Sequence, residues 1–340
     1  MPASSSRDRI DVVNALRAFA AVFVAWGHFC SGQGGWLSWS GLYGYTGVDI
    51  FFVISGFIIP YSLFRGQYTL RNFGRFMLKR GIRLYPPYLI SIPISIFAAN
   101  AVMRPLIPAA GIHVGGRQLF YHLLFLNDIV GVPWVNVVYW TLAIEWQWYI
   151  LAALFFGLLA SRNAFLRFCP VAAAMVTYFL IPNDRMIFHT LPIFLIGVFA
   201  FQYKIGLIGR GRLLALIAAM LWAMRWPTGW IVALIAVVTG LLIAFVSFRN
   251  PIADFLGDVS YSVYLLHLPI GVSLIGWLSH LLPFSGSYIG VIDCVGLAAS
   301  VGAATVLYRW VEQPAQDFSS QVRFVRERPR KLALAAAGAK

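Results

Sequence analysis

The sequence predicts an all-α fold: a polytopic transmembrane helical bundle of about ten spans, with the N- and C-termini cytoplasmic. Three observations predict it. The 340 residues are 60% hydrophobic and only 11% charged, whereas a soluble domain carries about 25% charged residues and could not cover a water-facing surface with so few. Apolar runs recur along the whole chain, most with about the 17–25 residues that a helix needs to cross a bilayer. When these runs are threaded alternately, Lys and Arg collect on one side.

The expected spans are 12–31, 44–63, 81–103, 137–159, 167–182, 187–203, 212–224, 228–247, 259–281 and 288–309. The first lies behind Arg7 and Arg9 and resembles a signal peptide. No small-residue cleavage site follows it, so it is read as a retained helix. With the N-terminus inside, 21 of the 26 Lys and Arg residues fall on inner segments. Four (Arg104, Arg117, Arg185 and Arg225) fall outside, and Arg17 lies within the first span. Leu119–Val132 is apolar but short and holds His122, Asn127 and Asp128. Were it to cross, 13 later cationic residues would face outward, so it is placed on, or re-entrant at, the outer face. Residues 1–318 form a single membrane domain, and 319–340 a basic then Ala-rich, flexible cytoplasmic tail.

Several function classes are disfavoured. The net charge of +14 is spread over short loops rather than gathered on one face, which argues against a nucleic-acid partner. Cys30, Cys169 and Cys294 are scattered, and His113, His122, His189 and His280 lack metal-ligand spacing, so neither a metal site nor a disulfide framework is expected. No internal repeat is visible, against the inverted-repeat pattern of many transporters.

Ionisable residues inside spans are costly and mark function by default. Arg17 and His28 are eleven residues apart, three helical turns plus roughly 20°, so they share a face with a rise of about 16 Å between them. Arg17 lies near the inner end and His28 near the outer end. Asp49, near the outer end of the second span, lies at a similar depth to His28 and could fix the imidazole tautomer and raise its basicity. Ser55 and Gly56, deeper in that span, read as small residues for close helix packing. Arg80 and Arg83 share a face at the inner mouth of the third span, ahead of Pro86-Pro87, which should kink or restart the helix. Two convergent guanidiniums suit a phosphate-bearing ligand. Thr141, Glu145 and Tyr149 share a face of the fourth span. At its depth Glu145 needs a partner, such as Arg17, or a water-filled cavity where it acts catalytically. Ser260, Tyr264 and His267 share a face of the ninth span, where a lone histidine reads as a packing residue.

This layout suits a donor with charged phosphates at one end and a reactive group on a long arm, the shape of an acyl-CoA. His28 would then act near the outer face, either as a base on an acceptor hydroxyl or as an acyl carrier. A transporter or flippase of a lipid-linked sugar or small metabolite is the alternative reading, and a scaffold or channel a third.

The motifs resemble those of the acyltransferase-3 family. They are Arg17-x10-His28, the Gly47–Phe57 run, Arg80-x-x-Arg83, Trp140-Thr141-Leu142-x-x-Glu145, Val259–His267 and Glu312-x-Pro314, in that order. The resemblance runs from about Ile10 to Pro314. It implies transfer of an acyl group, usually acetyl from acetyl-CoA, to hydroxyls of envelope or exported saccharides and related acceptors. It implies His28 as the essential catalytic residue, with Arg17, Arg80 and Arg83 holding the donor. It also implies acyl-CoA as co-substrate with no permanently bound cofactor, a saccharide or glycolipid acceptor, and a bacterial inner membrane. Some members carry a fused hydrolase-like domain; with about 25 residues after its last span, this chain reads as the stand-alone form.

Overall fold

The structure, a computed structural model, describes residues 11–30, 36–181, 186–281 and 289–324. Outside the described residues lie Arg7 and Arg9, part of the Ser31–Tyr43 loop, Arg185, and the tail beyond Phe324. Among the described residues there are helices and no strand, an all-α polytopic bundle. Seven helical runs are long and apolar enough to cross a membrane, and the helices Ala164–Leu180 and Leu191–Lys204 are shorter and apolar. One of the seven, Arg210–Phe245, turns back on itself. It is α-helical over Arg210–Met224 and again over Trp230–Phe245, with Gly229 at φ +93° between them, and the two pieces pack together.

Apolar burial does not drive helices together in lipid, so close packing and interhelical hydrogen bonds must. The most extensive contacts are made by the first helix, Asp11–Cys30, with the Pro251–Leu266 helix, and by the Gly47–Arg65 helix with Leu191–Lys204. Both rest on glycine. A Cβ on Gly56 would strike the Phe194 carbonyl, and one on Gly197 the Val53 carbonyl, so the two backbones touch. The second-span reading of Gly56 as a packing residue is thus what the structure shows.

The Phe73–Phe97 helix departs from expectation in two ways. It runs unbroken through Pro86, Pro87 and Pro93 and does not restart at the double proline. Pro86 and Pro87 supply no N–H to the Ile82 and Arg83 carbonyls four residues back, and on the adjacent residue Tyr261 Oη donates to Leu84 O at 2.9 Å. The helix also begins about two turns before the expected span. Arg80 and Arg83 therefore project from its interior, with Arg75 and Lys79 on its first turns.

The Leu119–Val132 segment holds no helix long enough to cross. It contains the end of the nine-residue helix Gly116–Leu124, stopped by Phe125 in the left-handed region (φ 54°), and the four-residue helix Asn127–Val130. Near the other end of the chain, the segment assigned to the tail begins inside the helix Gln313–Ser320. Its described part packs back on the bundle: Phe324 is buried against Tyr68 and Phe76, and Arg75 and Lys79 donate to the Phe324 and Val322 carbonyls.

Candidate active site

The first helix is continuous from Asp11 to Cys30, so the rise of about 16 Å between Arg17 and His28 holds in the folded chain. Around its N-terminal half lies a cavity of about 400 Å³. Arg17, Arg80, Arg83 and Glu145 all line it, joined by Asp258 and Glu312 from late in the chain. The structure therefore gathers four of the six expected site residues from three helices into one chamber. His28 and Asp49 do not line it.

Arg80 is buried, its Nη2 donating to Ser62 Oγ at 3.1 Å. Its guanidinium lies 5.4 Å from the Phe76 ring and 5.6 Å from the Tyr149 ring, within cation–π range. Its Nε has no hydrogen-bond partner among the described residues. A buried guanidinium with a donor to spare suits an anionic ligand in the chamber.

Glu145 is held by hydroxyls. Ser55 Oγ and Tyr149 Oη both donate to its Oε1, at 2.9 and 2.7 Å. The expected partner Arg17 lines the same cavity, as do Arg83, Asp258 and Glu312. Glu312, in the Glu-x-Pro motif, is buried. It accepts from Ser262 Oγ at 2.6 Å and from Gln316 Nε2 at 2.9 Å. The motif's spacing alone assigns Glu312 no role. A carboxylate just past the last apolar run, followed by proline, was the available signal.

Toward the His28 end of the first helix the cavity reaches Thr141 and Tyr264, whose hydroxyls lie 2.7 Å apart. The Tyr264 ring is 5.8 Å from that of His267, and the His267 ring is 5.1 Å from that of His28. His28 Nδ1 lies 3.0 Å from the Val24 carbonyl and 3.3 Å from His267 Nε2. Asp49 is half-buried in the first turn of its helix, and no hydrogen bond joins it to His28 among the described residues. His267, read as a packing residue, is the group found against the His28 ring. That pairing joins positions 239 apart in sequence, which no local pattern reveals.

The segment 116–136 is pinned by His122, which is fully buried. Its Nε2 accepts from the Val135 N–H at 3.0 Å, and its Nδ1 lies 3.0 Å from Gln118 O. Burial holds its pKa below the usual histidine value.

The acyltransferase-3 profile, described as an acyltransferase domain, matches residues 10–309 of the chain. The chain belongs to the acyltransferase-3 family. Nodulation protein 10 of Rhizobium leguminosarum bv. viciae is 26% identical over 374 residues, 94% of this chain and 96% of that protein. A peptidoglycan O-acetyltransferase of Listeria monocytogenes is 28% identical over 155 residues, 43% of this chain but 24% of that longer protein. No solved structure matches the chain. As an acyltransferase-3 protein with several apolar crossing helices, it is a multi-pass integral membrane acyltransferase. Four of the six gathered motifs lie wholly within the profile's residues and a fifth, Val259–His267, does too; only Glu312-x-Pro314 falls just beyond them.

Proposed function

We propose that this acyltransferase moves an acyl group, most simply acetyl, from cytoplasmic acyl-CoA to a hydroxyl of a cell-envelope or exported saccharide or glycolipid. The observation that carries this is the sharing of one cavity by Arg17, Arg80 and Arg83, with His28 about 16 Å farther along the helix that bears Arg17. Three guanidiniums can hold the phosphates of the donor. The pantetheine arm then points along the cavity past Thr141 and Tyr264 toward the outer face.

There His28 removes the proton of the acceptor hydroxyl as its oxygen attacks the thioester carbonyl, and the departing thiol takes a proton back. Acyl-histidine formation is the other route to the same products. Glu145 acts from the cavity wall, and Asp49 acts at the outer end without a direct bond to His28. The name of the Listeria relative supports O-acetylation as the reaction class. The proposed topology has ten spans, both termini cytoplasmic, in a bacterial inner membrane. Residues 1–318 form one membrane domain that binds no permanent cofactor.

Coenzyme A binding to the detergent-solubilised protein tests the donor site. Saturable binding is expected, weakening when the 3′-phosphate is removed from the ligand and again in Arg80→Ala with Arg83→Ala. Absence of binding in a folded wild-type sample would favour a transporter of another solute.

A further inference from the structure

His267 stands at the change from the α-helix Pro251–Leu266 to the π-helical turn His267–Val272. Such turns are frequent at functional sites, and here Pro269 supplies a cause. It has no N–H for the Leu265 carbonyl four residues back, and Asn136 Nδ2 donates to that carbonyl instead, at 3.3 Å. The distortion leaves the buried His267 ring with Nδ1 2.7 Å from Tyr264 O and 3.3 Å from Val263 O.

A carbonyl oxygen only accepts. His267 therefore carries its hydrogen on Nδ1, and its Nε2 is an acceptor. That acceptor faces His28 Nδ1 at 3.3 Å. Val24 O, 3.0 Å from the same nitrogen, also only accepts. His28 must then carry its hydrogen on Nδ1, which puts its basic lone pair on Nε2.

We propose that His267 is a positioning residue that locks His28 in the Nδ1–H tautomer and receives that N–H as the ring gains charge. The proposal rests on the reading of His28 as the group that handles the acceptor proton. In that step the acceptor O–H proton moves to His28 Nε2, the acceptor oxygen forms the new C–O bond, and the C–S bond of the thioester breaks. The departing thiolate then takes the proton from Nε2. His267 gains and loses no proton. Two adjacent imidazolium ions in a buried site would repel each other, so a neutral acceptor is the form compatible with a charged His28. The arrangement parallels the orienting carboxylate of a catalytic triad, with an uncharged acceptor in its place. Because Val24 O shares the N–H, the lock has two parts, and loss of one weakens it without abolishing it.

The test compares His267→Leu, which fills a similar volume with no acceptor, with His267→Gln, whose amide oxygen can accept from His28. The expected result for His267→Leu is a turnover about 10–100-fold lower with coenzyme A binding unchanged. His267→Gln should recover a large part of that loss. Equal losses in both variants with donor binding intact would mean packing rather than acceptance, and wild-type turnover in His267→Leu would also overturn the proposal. Should His267→Leu fail to fold, 15N spectra of histidine-labelled wild-type protein decide, with His28→Ala for assignment. A protonated Nδ1 on His28 supports the lock, and a protonated Nε2 overturns it. That tautomer reading stands even if the wild type transfers no acyl group, so the two failures are distinguishable.

Discussion

Ser55 Oγ donates to Glu145 Oε1 across 2.9 Å, joining two segments that the sequence analysis singled out separately. Trp148 Nε1 strengthens the same junction by donating to the Ser55 carbonyl at 3.1 Å. Replacing Glu145 by Ala would leave the Ser55 and Tyr149 hydroxyls without their acceptor, at a cost of about 1–3 kcal/mol. Glu145→Gln keeps an acceptor and removes only the charge. The expected outcome is a thermal unfolding temperature close to wild type for Glu145→Gln, a lower one for Glu145→Ala, and turnover at least about tenfold lower in both. Normal turnover in Glu145→Gln would make Glu145 a structural anchor.

Arg80 and Arg83 should govern donor affinity rather than chemistry. Arg80→Ala with Arg83→Ala should raise the acyl-CoA KM by about 10–100-fold with kcat little changed, the pattern of lost ground-state binding. Arg80→Lys should recover little, because an ammonium cannot reproduce the guanidinium that reaches Ser62 while stacking between Phe76 and Tyr149. Steady-state kinetics with varied donor measures both effects.

His122 couples the segment 116–136 to pH. Its folded pKa is lowered by burial, so the folded state favours the neutral ring and its Nε2 accepts the Val135 N–H. The associated stability is present above the unfolded-state value, about 6.5, and is lost as pH falls from there through the folded value. Unfolding temperature should therefore drop between pH 7.5 and pH 5. In His122→Gln, which cannot titrate, the drop should be smaller. Equal pH dependence in the two proteins would remove His122 as the cause.

The contact of Gly56 with Phe194, and of Gly197 with Val53, predicts that side chains are not tolerated there. Gly56→Val should force the two helices apart and lower the unfolding temperature and the yield of folded protein. Gly157, whose added Cβ would meet nothing within 4 Å, is the control, and Gly157→Ala should be close to neutral.

Arg17, Arg80, Arg83 and Glu145 could be read from the sequence because a charge inside an apolar run is costly and so stands out. Their convergence followed from depth, which the direction and rise of each helix supply. Asp49 shows the limit of that reasoning: equal depth placed it near His28, but azimuth decides contact, and the structure puts His267 against that ring instead. His267 itself required a contact between distant helices and a distortion at Pro269. The double proline misled in the other direction. Pro86-Pro87 reads as a break, yet the helix continues through both. Glu312 had to be seen beside Arg17 before its charge acquired a place.

The central claim is acyl transfer through His28. Membranes containing the protein, supplied with acetyl-CoA labelled in the acetyl group, should pass label into extracted envelope glycans. His28→Ala membranes with equal protein and unchanged coenzyme A binding should pass none. Undiminished transfer by His28→Ala would contradict the account directly.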